Sequence, residues 1–275
     1  MSWTCPLCQL SLTLNTAQRQ YRCANNHCFD IAKEGYCNLI PAQQKNSKNP
    51  GDSKAMIRAR RLFLAAGYYD NLAQTVADIV ADLNTEQALH CLEVGCGEGY
   101  YLRQIAAQIP HAQYYGIDIS KEAIRLAAKG DRSKQHQYAV ASSYNIPLKK
   151  HSMDVIIRNF APAPSSQILR LLKPGGLFIV VTPGAEHLYQ LRQQIYRKPT
   201  LHDNPVTAVE GFDLVEQKRL QRTIHIQGLA EVSSLLQMTP YYWQTSDKDK
   251  NTLNTLDELS CSTDFVVSLF RQQQQ

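Results

Sequence analysis

The chain has 275 residues, 44% of them hydrophobic, which is enough for one α/β core with a smaller appended module. It lacks a run of about 20 apolar residues and a basic-then-apolar leader, so we expect a soluble, cytoplasmic protein that does not span a membrane. The net charge of +5 is uneven, because residues 1–67 carry nine basic and three acidic residues. This excess of +6 favours a polyanion as partner of the N-terminal part.

Four of the eight cysteines crowd the N-terminal segment that ends at Cys28, which is typical of a metal site rather than of a disulfide framework. Cys5-x2-Cys8 and Cys23-x3-His27 are two chelating pairs, spaced as in a tetrahedral zinc site that joins two turns. Cys23-x4-Cys28 is an alternative second pair, since the neighbours His27 and Cys28 are not expected to bind one ion together. We predict that positions 1–40 form a zinc-binding domain, too small to fold without its metal.

Residues 41–67 are predicted to form a polar linker followed by a helix. Asp52 or Ser53 can cap this helix, and Gly67 suits the left-handed position just beyond its end. Three basic residues recur at i, i+4 and i+7 and therefore share one helix face. We name them as candidate RNA-binding residues: Lys54, Arg58 and Arg61.

From residue 68 to residue 275, apolar strand-like runs alternate with helical stretches. The runs lie at residues 89–94, 114–117, 138–141, 154–160 and 177–182. Two later strand candidates, 218–226 and 264–270, would add an antiparallel edge. The pattern predicts a Rossmann-like α/β fold with a doubly wound, mostly parallel, seven-stranded sheet, and we expect this sheet to have its own core from residue 89 onward.

The segment EVGCGEGY at residues 93–100 places three glycines where the first strand turns into a helix. Gly95, Gly97 and Gly99 let a ligand approach the backbone closely, where a Cβ atom would block it. Tyr100 occupies the place of the third glycine of a dinucleotide fingerprint, which counts against a nicotinamide or flavin cofactor. Asp118, at the end of the next strand, stands where an acidic side chain accepts both ribose hydroxyls of an adenosine.

This loop, together with LLKPGG at residues 171–176, resembles the class I S-adenosylmethionine-dependent methyltransferases. Along nearly the whole chain the sequence resembles the ribosomal RNA large-subunit methyltransferase A family. The motifs that carry this likeness lie at residues 5–8, 27–30, 32–36, 50–53, 59–61, 63–67, 95–101, 153–154, 156–158, 161–162, 182–184, 187–188 and 236–240.

The resemblance implies transfer of a methyl group to N1 of a guanine in a 23S rRNA hairpin loop, at a site of the 745 type; the residues themselves do not separate it from a 748 type. It also implies a homodimer with a shared cleft, and zinc bound through His27 rather than Cys28. S-adenosylmethionine would be contacted by Tyr69, Gly97, Glu98 and His187, and Ser142 would lie beside the adenine.

Two other functions fit the same motifs. One is a small-molecule methyltransferase with a purely structural zinc finger, and the other is an inactive zinc-ribbon RNA-binding protein. No residue is marked as a catalytic base by its spacing. The chain departs from the family pattern at Cys28 and at Asn159-Phe160. Phe160 and Tyr144 are candidates to stack on the target base, with core packing as the alternative role for each.

Overall fold

A mixed sheet of eight strands organises the chain. The computed structural model describes residues 3–41, 43, 50–83, 88–133, 136–196, 198–203, 206–246, 250–251 and 253–273; residues 44–49 of the predicted linker and the last two glutamines lie outside them. The strand order is β10-β11-β9-β8-β5-β6-β7-β4. The strands are β4 (Tyr36–Asn38), β5 (His90–Val94), β6 (Gln113–Asp118), β7 (Gln137–Val140), β8 (Met153–Asn159), β9 (Leu172–Pro183), β10 (Phe212–Gln227) and β11 (Glu258–Gln272).

The predicted seven-stranded arrangement is present, and an eighth strand extends it. β11 runs antiparallel between β9 and β10, and the strands from β9 to β4 pair in parallel. The eighth strand, β4, comes from the predicted zinc-binding domain and pairs with β7 at the far edge. The sequence gives no sign of this pairing, because β4 is only Tyr36–Asn38.

Eight helices accompany the sheet in the part of the chain that the structure describes. They are α1 (Lys54–Ala65), α2 (Asp70–Ala81), α3 (Tyr100–Gln108), α4 (Lys121–Gly130), α5 (Ser165–Leu171), α6 (Tyr189–Ile195), α7 (Leu229–Met238) and α8 (Pro240–Gln244). None of the helices in the described ranges has the length and apolarity that a bilayer crossing requires. The predicted caps of α1 are confirmed, because the Ser53 Oγ accepts from the Met56 backbone N at 3.2 Å and Gly67 has a φ of +82°.

The sheet is buried on both faces, which explains the nearly continuous apolar runs of its central strands. One face packs on helices α1 to α4, α6 and α7, with Phe63, Leu72 and Leu102 fully buried there. The other face packs on α5 and on the N-terminal module. We expected the sheet to have a core of its own from residue 89 onward. This expectation is wrong, because the N-terminal module covers part of one face of the sheet.

The N-terminal module carries its own small sheet of β1 (Thr13–Asn15), β2 (Gln20–Arg22) and β3 (Cys28–Asp30). Trp3 is 1% exposed and meets the Tyr115 ring of β6 edge-to-face, with ring centroids 5.5 Å apart. Leu12, completely buried, belongs to the same apolar cluster. The module is thus part of the main core rather than an appendage beside it.

Candidate cofactor site and metal centre

Four predicted ligands come together in the N-terminal module. Their ligand atoms, contributed by Cys5, Cys8, Cys23 and His27, all lie within 4.8 Å of one another. His27 Nδ1 is 3.5 Å from the Cys5 sulfur and 3.4 Å from the Cys23 sulfur, and the Cys8 and Cys23 sulfurs are 3.7 Å apart. Zinc bonds of about 2.0–2.3 Å in tetrahedral geometry require edges of roughly 3.3–3.8 Å. The donors therefore fit a structural zinc ion.

Cys28 does not belong to this cluster. Its side chain is exposed, and its thiol donates to the Asn26 backbone carbonyl at 3.4 Å. Asn26 itself has a φ of +62°, which lets the chain turn so that His27 faces the other ligands. The choice between His27 and Cys28 is thereby decided in favour of His27, as the resemblance implies.

The glycine loop joins β5 to α3 at the carboxyl edge of the sheet. Gly95 and Cys96 both donate their backbone N–H to the Ile117 carbonyl, at 2.8 and 2.9 Å, which ties the loop to β6. A Cβ at Gly95 would lie 2.4 Å from the Ala161 Cβ, whereas a Cβ at Gly97, whose φ is +56°, would enter open space. Gly97 therefore leaves a cradle that a side chain would fill.

Asp118, at the end of β6, lies beside this cradle. Its carboxylate accepts from the Gly97 N at 3.0 Å and from the Ser120 N at 2.7 Å. Burial raises the pKa of Asp118, and the two backbone hydrogen bonds counteract that effect. Half-buried Ser142 follows Ala141, whose N–H donates to the Asp118 carbonyl at 3.0 Å. The structure thus brings Gly97, Asp118 and Ser142 together, as expected where parallel strands end side by side.

Glu98 is buried, and arginines engage its carboxylate. Arg103 lies 2.9 Å from it and Arg61 3.8 Å. Burial raises the pKa of Glu98, and Arg103 opposes that rise. Because Arg61 faces Glu98, its charge is only partly available to an external partner, whereas Lys54 and Arg58 are exposed. The most available charges of the predicted basic stripe are therefore those of Lys54 and Arg58.

Tyr69 and His187, which only the resemblance singled out, meet in the structure. The Tyr69 hydroxyl lies 3.3 Å from His187 Nε2, and His187 Nδ1 accepts from the Asp264 backbone N at 3.3 Å. Burial lowers the pKa of His187 to about 3, so the ring is neutral at physiological pH. Its Nε2–H then donates to the Tyr69 hydroxyl oxygen.

The two candidate stacking residues do not pack in the core. Tyr144 is 65% exposed and Phe160 is 47% exposed. Phe160 follows the end of β8 with a φ of +52°, an uncommon conformation for a bulky residue. Its ring centroid lies 5.9 Å from that of His187 and 6.0 Å from that of Phe265. Phe160 therefore offers an open aromatic face beside His187.

Comparison with known proteins decides the family. The model of the RlmA N-terminal domain matches residues 3–48, and a methyltransferase domain model matches residues 85–238, more than half of the chain. A Micromonospora griseorubida protein, provisionally named a 23S rRNA (guanine-N(1)-)-methyltransferase, is 31% identical, over 88% of this chain and 86% of its own. The chain belongs to the RlmA family of methyltransferases.

Other relatives agree with this RlmA-family membership. The 23S rRNA (guanine(748)-N(1))-methyltransferase of Streptomyces fradiae is 29% identical over 96% of this chain and 95% of its own. One solved chain, from the complex between the Haloferax volcanii Trm112 methyltransferase activator and a methyltransferase, matches with a TM-score of 0.50. It is 17% identical and covers 82% of this chain and 100% of that chain, which shows the fold alone.

The site of this RlmA-family methyltransferase fits S-adenosylmethionine. The open space at Gly97 would admit a methionine moiety, and the Asp118 carboxylate keeps lone pairs that could accept ribose hydroxyls. Glu98 lies in the same glycine loop, Ser142 follows the β7 end next to Asp118, and Tyr69 lies beside His187. Sequence reasoning did not mark Arg192 or Asp264, although both are buried polar residues near His187. A single sequence does not show which charges become buried.

We expect Asp118→Ala to weaken the binding of S-adenosylhomocysteine by about 10- to 100-fold, because a charged hydrogen-bond acceptor is lost. Adenosine should lose affinity by a similar factor, since it carries the same ribose. Isothermal titration calorimetry with both ligands measures this. The matched control is Asp82→Ala, an exposed carboxylate that precedes β5 at the opposite edge of the sheet. Equal affinities in Asp118→Ala and wild type would show that the ribose lies elsewhere.

Proposed function

We propose that this chain transfers a methyl group from S-adenosylmethionine to N1 of a guanine in a hairpin loop of 23S ribosomal RNA. The observation that carries the proposal is the nearly full-length match to relatives named for this reaction. The site supports it, since the exposed aromatic residue Phe160 immediately precedes Ala161, which lies against Gly95 of the glycine loop. A site of the 745 type follows from the sequence resemblance, and the Streptomyces fradiae relative is named for position 748.

The geometry indicates a role for each residue of the site. When bound, the cofactor supplies an electrophilic methyl group on a sulfonium. The glycine loop and Asp118 hold the cofactor, and Tyr69 and neutral His187 line its wall without adding charge. Because the N1 edge of guanine is engaged in pairing, the base must lie in a loop or flip out of its helix. The Phe160 ring then provides a stacking surface that orients the base for in-line attack.

The three parts of the chain take distinct roles in this proposal. Residues 1–40 hold the RNA hairpin, residues 41–67 add a basic linker and helix, and residues 68–275 catalyse methyl transfer. The protein acts in the cytoplasm, as a homodimer with a shared RNA-binding cleft. Sedimentation at increasing protein concentration tests the dimer.

Mass spectrometry of 23S rRNA tests the function directly. Deleting the gene should remove one N1-methylguanine, and the purified protein should restore it on the unmodified hairpin. An unchanged methylation pattern together with methylation of a metabolite would favour a small-molecule methyltransferase. Failure to bind S-adenosylmethionine in calorimetry would favour an inactive RNA-binding protein.

We expect Lys54→Glu/Arg58→Glu to weaken binding of the hairpin RNA by about tenfold or more, because each lost phosphate contact also removes counterion release. The basic stripe of α1 starts beside the carboxyl edge of the sheet, where the glycine loop lies. A Cβ at Gly51 would lie 3.1 Å from Ile119, just beyond β6. Arg61 is left intact because it faces Glu98. Filter binding between low and moderate salt should show a shallower salt slope in the variant.

The control for this reversal is Lys149→Glu/Lys150→Glu. Both lysines are exposed, precede β8 at the opposite edge of the sheet, and change the net charge by the same amount. Affinity for S-adenosylmethionine should be the same in both variants and in wild type. Equal loss of RNA affinity in the two variants would show that net charge, rather than the α1 stripe, governs binding.

A further inference from the structure

The segment after α6 that contains Thr200 and His202 is held against the turn that carries His187. The buried Arg192 of α6 donates to the Thr200 carbonyl, to the His187 carbonyl at 3.3 Å and to the Ala185 carbonyl at 3.4 Å. The His202 backbone N–H also donates to the Ala185 carbonyl, at 3.0 Å. One guanidinium thus ties the loop to the turn after β9, and His202 is held in a defined place.

The hydrogen bond between His202 and Tyr241 defines the tautomer of the His202 ring. Its Nε2 lies 3.3 Å from the Tyr241 hydroxyl. With the Tyr241 hydroxyl as donor, Nε2 provides the lone pair and Nδ1 carries the hydrogen. Burial raises the pKa of Tyr241, so its hydroxyl keeps its hydrogen and can donate to Nε2. This contact between Tyr241 and Nε2 is long for a hydrogen bond, so another donor can displace it.

His202 lies beside His187. Its ring centroid is 6.2 Å from that of His187, and His187 is also the neighbour of the exposed Phe160 ring. His187 cannot act as a base itself, because its Nδ1 accepts from Asp264 and its Nε2–H faces Tyr69. His202, by contrast, is half-buried, so its ring is partly open to solvent.

We propose that His202 is the general base that removes the N1 proton of the target guanine. This inference rests on the proposed function, since it requires a nitrogen acceptor that carries a proton. The N1–H bond breaks and its proton goes to His202 Nε2. The freed electron pair forms the N1–CH3 bond while the bond between methyl carbon and sulfur breaks, which leaves S-adenosylhomocysteine. The positive charge of the sulfonium is thereby transferred to the imidazolium.

The charges around His202 suit both states of the ring. Burial and then Arg192 lower the pKa of His202, so the ring is neutral before the reaction. Asp203 and Asp264 raise the same pKa and thus stabilise the imidazolium that forms. His187 and Tyr241 are further titratable neighbours of this ring among the described residues. The arrangement is that of a base which accepts a proton at neutral pH and then returns it to solvent.

His202→Gln tests the role in single-turnover methylation of the hairpin RNA, with N1-methylguanosine measured by mass spectrometry. The rate at neutral pH should fall by about 100-fold or more, the usual contribution of a general base. In wild type the rate should rise with pH up to the pKa of His202 and then level off. In the variant it should keep rising until the guanine N1 itself ionises, so that alkali partly restores the rate. Affinities for S-adenosylmethionine and RNA should change by less than about threefold.

The matched control is His111→Gln, an exposed histidine that precedes β6 at the opposite edge of the sheet, and its pH profile should match that of wild type. A normal rate in His202→Gln would overturn the proposal. So would a lowered rate with an unchanged pH profile, or a loss of cofactor binding, since either would indicate a structural role. If wild type forms no N1-methylguanosine at all, the proposed function fails before this inference is reached.

Discussion

Gly97→Ala should reduce the affinity for S-adenosylhomocysteine by about 10- to 100-fold, because the added methyl group enters the space of the methionine moiety. The variant should still bind 5′-methylthioadenosine with an affinity within about threefold of wild type, since that ligand lacks the amino-acid part. Calorimetry with the two ligands measures both effects. Gly97 is the informative position, because an alanine at Gly95 would clash with Ala161 inside the protein.

Gly175→Ala is the control that separates occupied space from backbone strain. Gly175 has a φ of +77°, near that of Gly97, and a Cβ there also meets nothing within 4 Å. Both alanines therefore carry a similar left-handed penalty of about 1–2 kcal/mol, but Gly175 lies near the start of β9, away from the cofactor edge. If both variants lose affinity equally, strain rather than the cradle explains the loss and the methionine site is misplaced.

The sheet could be predicted because its physical cause is local in sequence. A strand buried on both faces needs a run of apolar residues, and β5, β8 and β9 show such runs directly. β4 could not be predicted, because Tyr36–Asn38 becomes a strand only by pairing with β7, which lies far along the chain. The burial of Trp3 against Tyr115 is likewise a long-range contact that no local pattern indicates.

In the candidate site, too, only the residues whose role follows from a local sequence pattern could be predicted. Gly97 and the zinc ligands could be found because backbone access and metal geometry require particular residue types at fixed spacing. His202 could not, since its chemistry depends on Arg192 and Tyr241, which the fold brings together from separate helices. Phe160 was named, but its exposure follows from a left-handed φ that the sequence does not reveal.

Cys8→Ser should release zinc and lower the melting temperature of the whole chain by roughly 10 °C. A module of this size is stable only with its metal, and a buried tryptophan contributes about 3–5 kcal/mol to a core. Because Trp3 and Leu12 pack on the sheet, their loss uncovers one of its faces. At about 2–4 °C per kcal/mol for a chain of this length, this loss gives the expected shift. Calorimetric melting with a zinc assay measures both effects.

Cys28→Ser is the matched control, since this thiol is exposed and lies outside the cluster of zinc ligands. It should keep its zinc, its melting temperature and its rRNA methylation. In Cys8→Ser, methylation should collapse, and S-adenosylmethionine binding should also weaken, because β6 and β7 lead to Asp118 and Ser142. A separate low-temperature transition for the module, with an unchanged main transition, would show that the zinc module and the sheet unfold independently. A single shifted transition would show that the metal stabilises the cofactor site through the shared core.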